Sequence, residues 1–168
     1  MIKKVILLIL IVTIVYFFYN PIVIQLRDFE NSSESTFKPN QIFKLKEVLN
    51  LEDAKNATIY IVLNNEERRH FSLKVPKWKI LKTKNTTLIR DLFNCEFRYT
   101  NSDVSTVQSK IYVYSESKLV FESEISLEEN HFGLQNTYTG WASAINNNEL
   151  LRIVGKFDRY NLPLLIIK

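Results

Sequence analysis

From Val5 to Ile24 the chain reads VILLILIVTIVYFFYNPIVI, apolar apart from Thr13, the tyrosine hydroxyls and Asn20, and without a charge. Lys3 and Lys4 precede it directly, and no second segment of this kind follows. At about 1.5 Å per residue, a helix over this stretch is about 30 Å long, the thickness of a bilayer core. Every backbone group in it is satisfied internally, as lipid requires. The pattern therefore predicts a transmembrane signal anchor over 5–24, with residues 1–4 in the cytoplasm. The cluster Tyr16 to Tyr19 matches an interfacial aromatic belt, and Pro21 kinks or ends the helix. A cleaved signal needs small residues where Tyr16 to Tyr19 stand, so the anchor is read as uncleaved. A lipoprotein signal would place a cysteine just after the apolar run, and the single cysteine is Cys95.

Beyond the anchor, residues 25–40 read as a polar linker, because Glu30 to Asn40 (ENSSESTFKPN) is serine-rich and aperiodic. Residues 41–168 read as one extracytoplasmic α+β domain, mostly antiparallel sheet with two or three short helices. Ile42, Leu45, Val48 and Leu49 recur at helical spacing and predict a helix near 41–50. Ala57 to Leu63 (ATIYIVL) predicts a buried central strand. Asn64 to Glu67 is a turn, and Phe71, Leu73 and Val75 alternate as a strand pairing back as a hairpin, ended by Pro76. Thr86 or Thr87 caps a helix through Asn94 with Leu88, Ile89, Leu92 and Phe93 on one face.

Cys95, Phe97 and Tyr99 alternate as a further strand. Val107, Ile111 and Val113 share one side of the next, and Ser115 to Lys118 turns the chain into Leu119, Phe121, Ile125 and Leu127. Residues 128–145 show no period. Asn146 with Glu149 has capping-box spacing before a short helix ending near Gly155. LPLLII over 162–167 reads as a final buried strand.

Composition narrows this picture. About 125 residues outside the anchor and linker suffice for one domain with a core. One cysteine permits no internal disulfide, so the fold stands on packing, which suits a bacterial envelope better than a eukaryotic secretory route. With only three glycines, asparagines such as Asn64, Asn65 and Asn146 to Asn148 are expected to do turn and cap work. The net charge of +4 is mild and does not argue for nucleic acid. It is unevenly spread, with nine bases against two acids between Arg68 and Arg98, and six acids against Lys118 alone from Glu116 to Glu149. The two halves either neutralise one another across a sheet, or the basic half, with Trp78 among Lys77 and Lys79, faces anionic headgroups or an acidic partner.

Catalytic chemistry finds little purchase. His70 and His131 lack the spacing of a metal site, and Glu128, Glu129 and His131 could ligate only if their loop curled. Cys95 sits in an apolar alternation and reads as a buried thiol. Three glycines leave no room for a phosphate loop. Gly133 to Trp141 (GLQNTYTGW) concentrates glycine and aromatics. Tyr138 and Trp141 there are candidates for partner recognition, with a core-filling Trp141 as the other reading.

The expected function is a membrane-anchored, non-catalytic protein-binding domain of the bacterial inner membrane, facing out of the cytoplasm, with no cofactor implied. Its candidate binding residues are Tyr138, Trp141, Trp78, Lys77 and Lys79. A toxin-neutralising immunity role fits the layout. The alternatives are an envelope hydrolase using Glu128, Glu129 or His131, and a structural part of an envelope complex.

Overall fold

A computed structural model describes residues 2–26, 37–49, 55–100, 107–129, 131–136 and 140–168. Among these residues the fold is mixed α+β. The helices are α1 (Ile2–Tyr19), α2 (Leu45–Leu49), α3 (Thr86–Phe93) and α4 (Asn147–Val154). The strands are β1 (Ile22–Gln25), β2 (Ile42–Lys44), β3 (Ala57–Val62), β4 (Ile80–Thr83), β5 (Glu96–Tyr99), β6 (Lys110–Ser115), β7 (Lys118–Glu128), β8 (His131–Asn136), β9 (Gly140–Ala144), β10 (Asp158–Arg159) and β11 (Leu164–Ile167). Nine strands form an antiparallel sheet in the order β10-β4-β3-β6-β7-β8-β9-β5-β2, and β1 pairs in parallel with β11 as a separate ribbon.

Helix α1 is long and apolar enough to cross a membrane, and none of its residues is buried by the other described residues. It is shorter than the apolar run that predicts it. Pro21 cannot continue the helix, and Ile22 to Ile24, expected to complete the span, pair instead with Leu164 to Ile166, with Gln25 opposite Ile167. The β-branched residues of this segment suit a strand once a partner is present. The ribbon thus begins three residues after α1 ends. The expected linker lies mainly in 27–36, outside the described residues.

Helices α2, α3 and α4 cover one face of the sheet. The predicted stripe of α3, Leu88, Ile89, Leu92 and Phe93, is buried, as are Leu150, Leu151, Ile153 and Val154 of α4. They pack on Ile59, Ile61, Ile111, Val113, Phe121, Ile125 and Phe97 from the sheet. The ribbon covers the opposite face, where Leu165 and Ile167 meet Ile80, Tyr112, Leu119 and Tyr160.

Asparagines do take over glycine's work. Asn85, rather than Thr86 or Thr87, caps α3 by accepting from the Thr87 and Leu88 amides at 3.0 and 3.2 Å. Asn146 accepts from Glu149 N at 3.1 Å, and Asn64 from Glu66 N at 2.7 Å. Asn40 and Asn56 adopt positive φ.

Three expectations need correction. The strand over 71–75 does not form. Phe71 and Val75 are buried but Leu73 is 95% exposed, and β4 takes the place beside β3. The helix near 41–50 begins only at Leu45, because Ile42 to Lys44 pair with Glu96 to Arg98. Residues 128–145 are chiefly strand, with β8 pairing to β7 and β9 to both β8 and β5. Two further strands differ in degree: β3 and β11 bury alternate residues rather than every residue.

Candidate functional site

Where α1 meets the domain, a compact aromatic and cationic cluster forms. Helix α1 closes with Asn20 N donating to Tyr16 O at 2.8 Å. The Arg159 guanidinium, carried on edge strand β10, lies 4.4 Å from the ring centres of both Tyr19 and Trp78. It also donates to the Phe18 carbonyl oxygen. Each cation–π contact is worth ~0.5–2 kcal/mol. Tyr19 and Trp78 themselves approach to 6.4 Å. Arg159 therefore clamps the last turn of α1 onto the domain, while Ile22 N donating to Pro163 O at 2.9 Å starts the ribbon.

The segment leading into β4 is held by two cations. Lys77 Nζ donates to the carbonyls of Arg68 and Phe71 at 2.9 and 2.7 Å. Arg68 Nη1 returns a bond to Lys77 O at 2.9 Å, and its Nη2 donates to Asn65 Oδ1. This reciprocal lock positions Trp78, which stays 40% exposed. Burial, and then the Arg68 charge, lower the pKa of both Lys77 and Lys79. Among the described residues, the ion pairs are Lys44–Glu96, Lys110–Glu122 and Arg152–Asp91. None of them joins a base of 68–98 to an acid of 116–149, and none involves Arg68, Lys77, Lys79 or Arg159.

Thus Trp78 lies in the cluster at the end of α1, flanked in sequence by Lys77 and Lys79. Trp141 does not belong to it, being five strand positions away in the sheet, about 24 Å at ~4.8 Å per strand. It is 4% exposed, and its indole passes over Gly133, where an added Cβ would come within 2.8 Å of the ring. Its Nε1 donates to Ser143 Oγ at 2.9 Å. Tyr138 lies outside the described residues. Arg159 was not among the residues singled out from the sequence, whereas Tyr19 was, as part of the interfacial cluster Tyr16 to Tyr19. The signal available was the aromatic run closing the apolar segment, which calls for interfacial partners.

The other candidates are apart. Glu128 and His131 face each other across the β7–β8 turn, and no group of three His, Cys, Asp or Glu among the described residues could hold a metal ion. Cys95 is buried, its Sγ 3.5 Å from Asp91 O. Burial, with help from Glu149 and Asp91, pushes its thiol up to about 12. A protonated thiol of this kind is a poor nucleophile. At the other end of the sheet from Trp78, a cleft of about 630 Å³ opens between β3, β6 and β11, lined by Tyr60, Tyr114, Lys84, Glu116 and Lys168 among others.

The fold is a small α+β arrangement in which a strand begins three residues after an apolar N-terminal helix ends. The chain matches no known protein family, no curated protein and no solved structure.

Proposed function

We propose that this chain is a single-pass membrane protein that holds a non-catalytic, protein-binding domain at the bilayer surface. The carrying observation is the junction: an apolar helix with no buried residue, whose final turn is clamped by Arg159 to a folded domain. Such a helix needs an apolar surrounding that the described residues do not supply, and a bilayer supplies it. Lys3 and Lys4 favour a cytoplasmic N-terminus, which puts the domain on the outer side of a bacterial inner membrane. A disulfide-free domain with one cysteine suits that compartment. A partner of the immunity type, a toxin neutralised at the membrane, fits the layout.

The test has two stages. Intact-mass analysis of the membrane fraction is expected to find the chain beginning at Met1 or Ile2. A mature N-terminus near residue 20 in the soluble fraction would contradict the anchor. Photo-crosslinkers at Leu73 and Ile42, exposed at 95% and 50%, then capture a defined protein from intact cells. Adducts to lipid alone would contradict the binding role.

A further inference from the structure

Two bonds fix the foot of the domain to the end of α1. The Phe18 carbonyl and the Tyr19 ring both touch Arg159, and Arg159 touches Trp78. If α1 spans a bilayer, its Tyr16-to-Tyr19 end lies at headgroup level, so Arg159 and Trp78 lie there too. Lys79 follows Trp78 directly, and its backbone carbonyl, 2.8 Å from Leu63 N, fixes it to the end of β3. Leu162 and Ile22, 57% and 42% exposed, flank the same end. The chemistry is that of a membrane-surface site: an amphipathic tryptophan, aliphatic side chains beside it, and cations crowded together without a described carboxylate partner.

Resting on the anchor reading above, we propose that Arg159, Lys79 and Trp78, backed by Arg68 and Lys77, form a collar that binds the phosphates of anionic lipid headgroups around α1. Burial, and then the Arg68 charge, disfavour the charged forms of Lys77 and Lys79, and the bilayer surface is the anion source that the helix brings within reach. Arg159 serves twice: its guanidinium lies 4.4 Å from the centres of both the Tyr19 and Trp78 rings, and it donates to the Phe18 carbonyl oxygen at the end of the helix. Lys77 spends its ammonium on two carbonyls, so its part is to place Trp78 rather than to grip lipid.

The experiment uses the full chain in bilayers of phosphatidylcholine containing a trace of spin-labelled lipid, and reads the fraction of label immobilised at the protein. The wild type is expected to hold labelled phosphatidylglycerol over labelled phosphatidylcholine by about fivefold or more, as ~1 kcal/mol per surface cation implies. K79Q and R159Q each bring this ratio down towards one. K79Q leaves the Arg159 clamp intact and so separates lipid binding from helix docking. Raising the salt to 0.5 M lowers the wild-type ratio. Lys118→Gln, on the β6–β7 turn at the opposite end of the sheet, leaves it unchanged. Immobilised lipid with no preference overturns the collar and leaves the anchor standing. No immobilised lipid at all overturns both. A preference that survives K79Q and R159Q also overturns the collar. So does capture of a polyglutamate peptide through Lys79 in the absence of lipid preference, which would assign the site to an acidic protein.

Discussion

The two faces of the large sheet are sealed by different chemistry. On the helix side, Ile59, Ile61, Ile111, Ile125, Leu92, Ile153 and Phe97 meet with almost no polar atom among them. On the ribbon side, Tyr112 and Tyr160 share the packing with Ile80, Leu119, Leu165 and Ile167, and a polar network runs through it. Gln25 of the ribbon donates to Glu122 at 3.0 Å, Lys110 bonds the same carboxylate at 2.6 Å, and Tyr112 reaches Gln25 at 3.4 Å. The apolar face carries most of the folding energy, because burial scales with apolar area. The mixed face is smaller and directional. It fixes where β1 lies, and so where α1 leaves the domain.

The contrast is broken most severely on the helix side. Phe97→Ala, at a wholly buried position, is expected to cost about 3–5 kcal/mol. Against a total of about 5–15 kcal/mol, the whole sheet should melt much earlier in a thermal scan, at all probes together.

Trp141→Ala comes next, at about 3 kcal/mol. The indole is buried and covers Gly133, so the variant should melt earlier while retaining its fold at low temperature. An unchanged midpoint with lost partner capture would instead make Trp141 a recognition residue.

Leu165→Ala, at a 5% exposed ribbon position, is expected to cost about 2 kcal/mol, and its effect should be local. Amide exchange should quicken in β1 and β11 while β6 and β7 stay protected. Uniform loss across the sheet would show that the two faces unfold as one unit.

The smallest effect is a pH dependence. The Cys95 thiol is held protonated, its pKa raised from 9.0 to about 12, chiefly by burial. The unfolded thiol ionises first, so this contribution is intact below its unfolded value and is lost as pH rises from there towards 12. Burial also raises Tyr60, Tyr112 and Tyr160, with the same sign. Going from pH 7 to pH 10, wild type should lose about 1 kcal/mol more than Cys95→Ala. Equal losses would contradict the buried-thiol account.

Much of the helix-side layer was legible in the chain. Leu88, Ile89, Leu92 and Phe93 keep a helical period, and Phe121, Ile125 and Leu127 alternate clearly, whereas the irregularity at Val113/Tyr114 puts Leu119, expected on the same face, on the ribbon side. The β8 and β9 strands were not legible, because Gly133, Ala142 and Ser143 stand where bulky residues would mark a strand. Trp141 fills the volume that Gly133 leaves, a compensation visible only across the pairing. β1 was hidden inside the apolar run, since IVI looks the same to a window whether it enters lipid or pairs with LLII at the other end of the chain. Of the candidate site, Trp78, Lys77 and Lys79 stood out in the sequence through charge and aromatic content. Arg159 was missed, since its role depends on the β10–β4 pairing, which no local pattern announces.

The central claim is that the apolar N-terminal helix is joined rigidly to the domain through Arg159 and the ribbon. The direct measurement is the distance distribution between spin labels at Tyr16→Cys and Asn161→Cys, in a Cys95→Ala full chain reconstituted in bilayers. The account predicts a single narrow distribution that broadens when Arg159→Gln is added. A broad distribution in the parent protein, unchanged by Arg159→Gln, would contradict it.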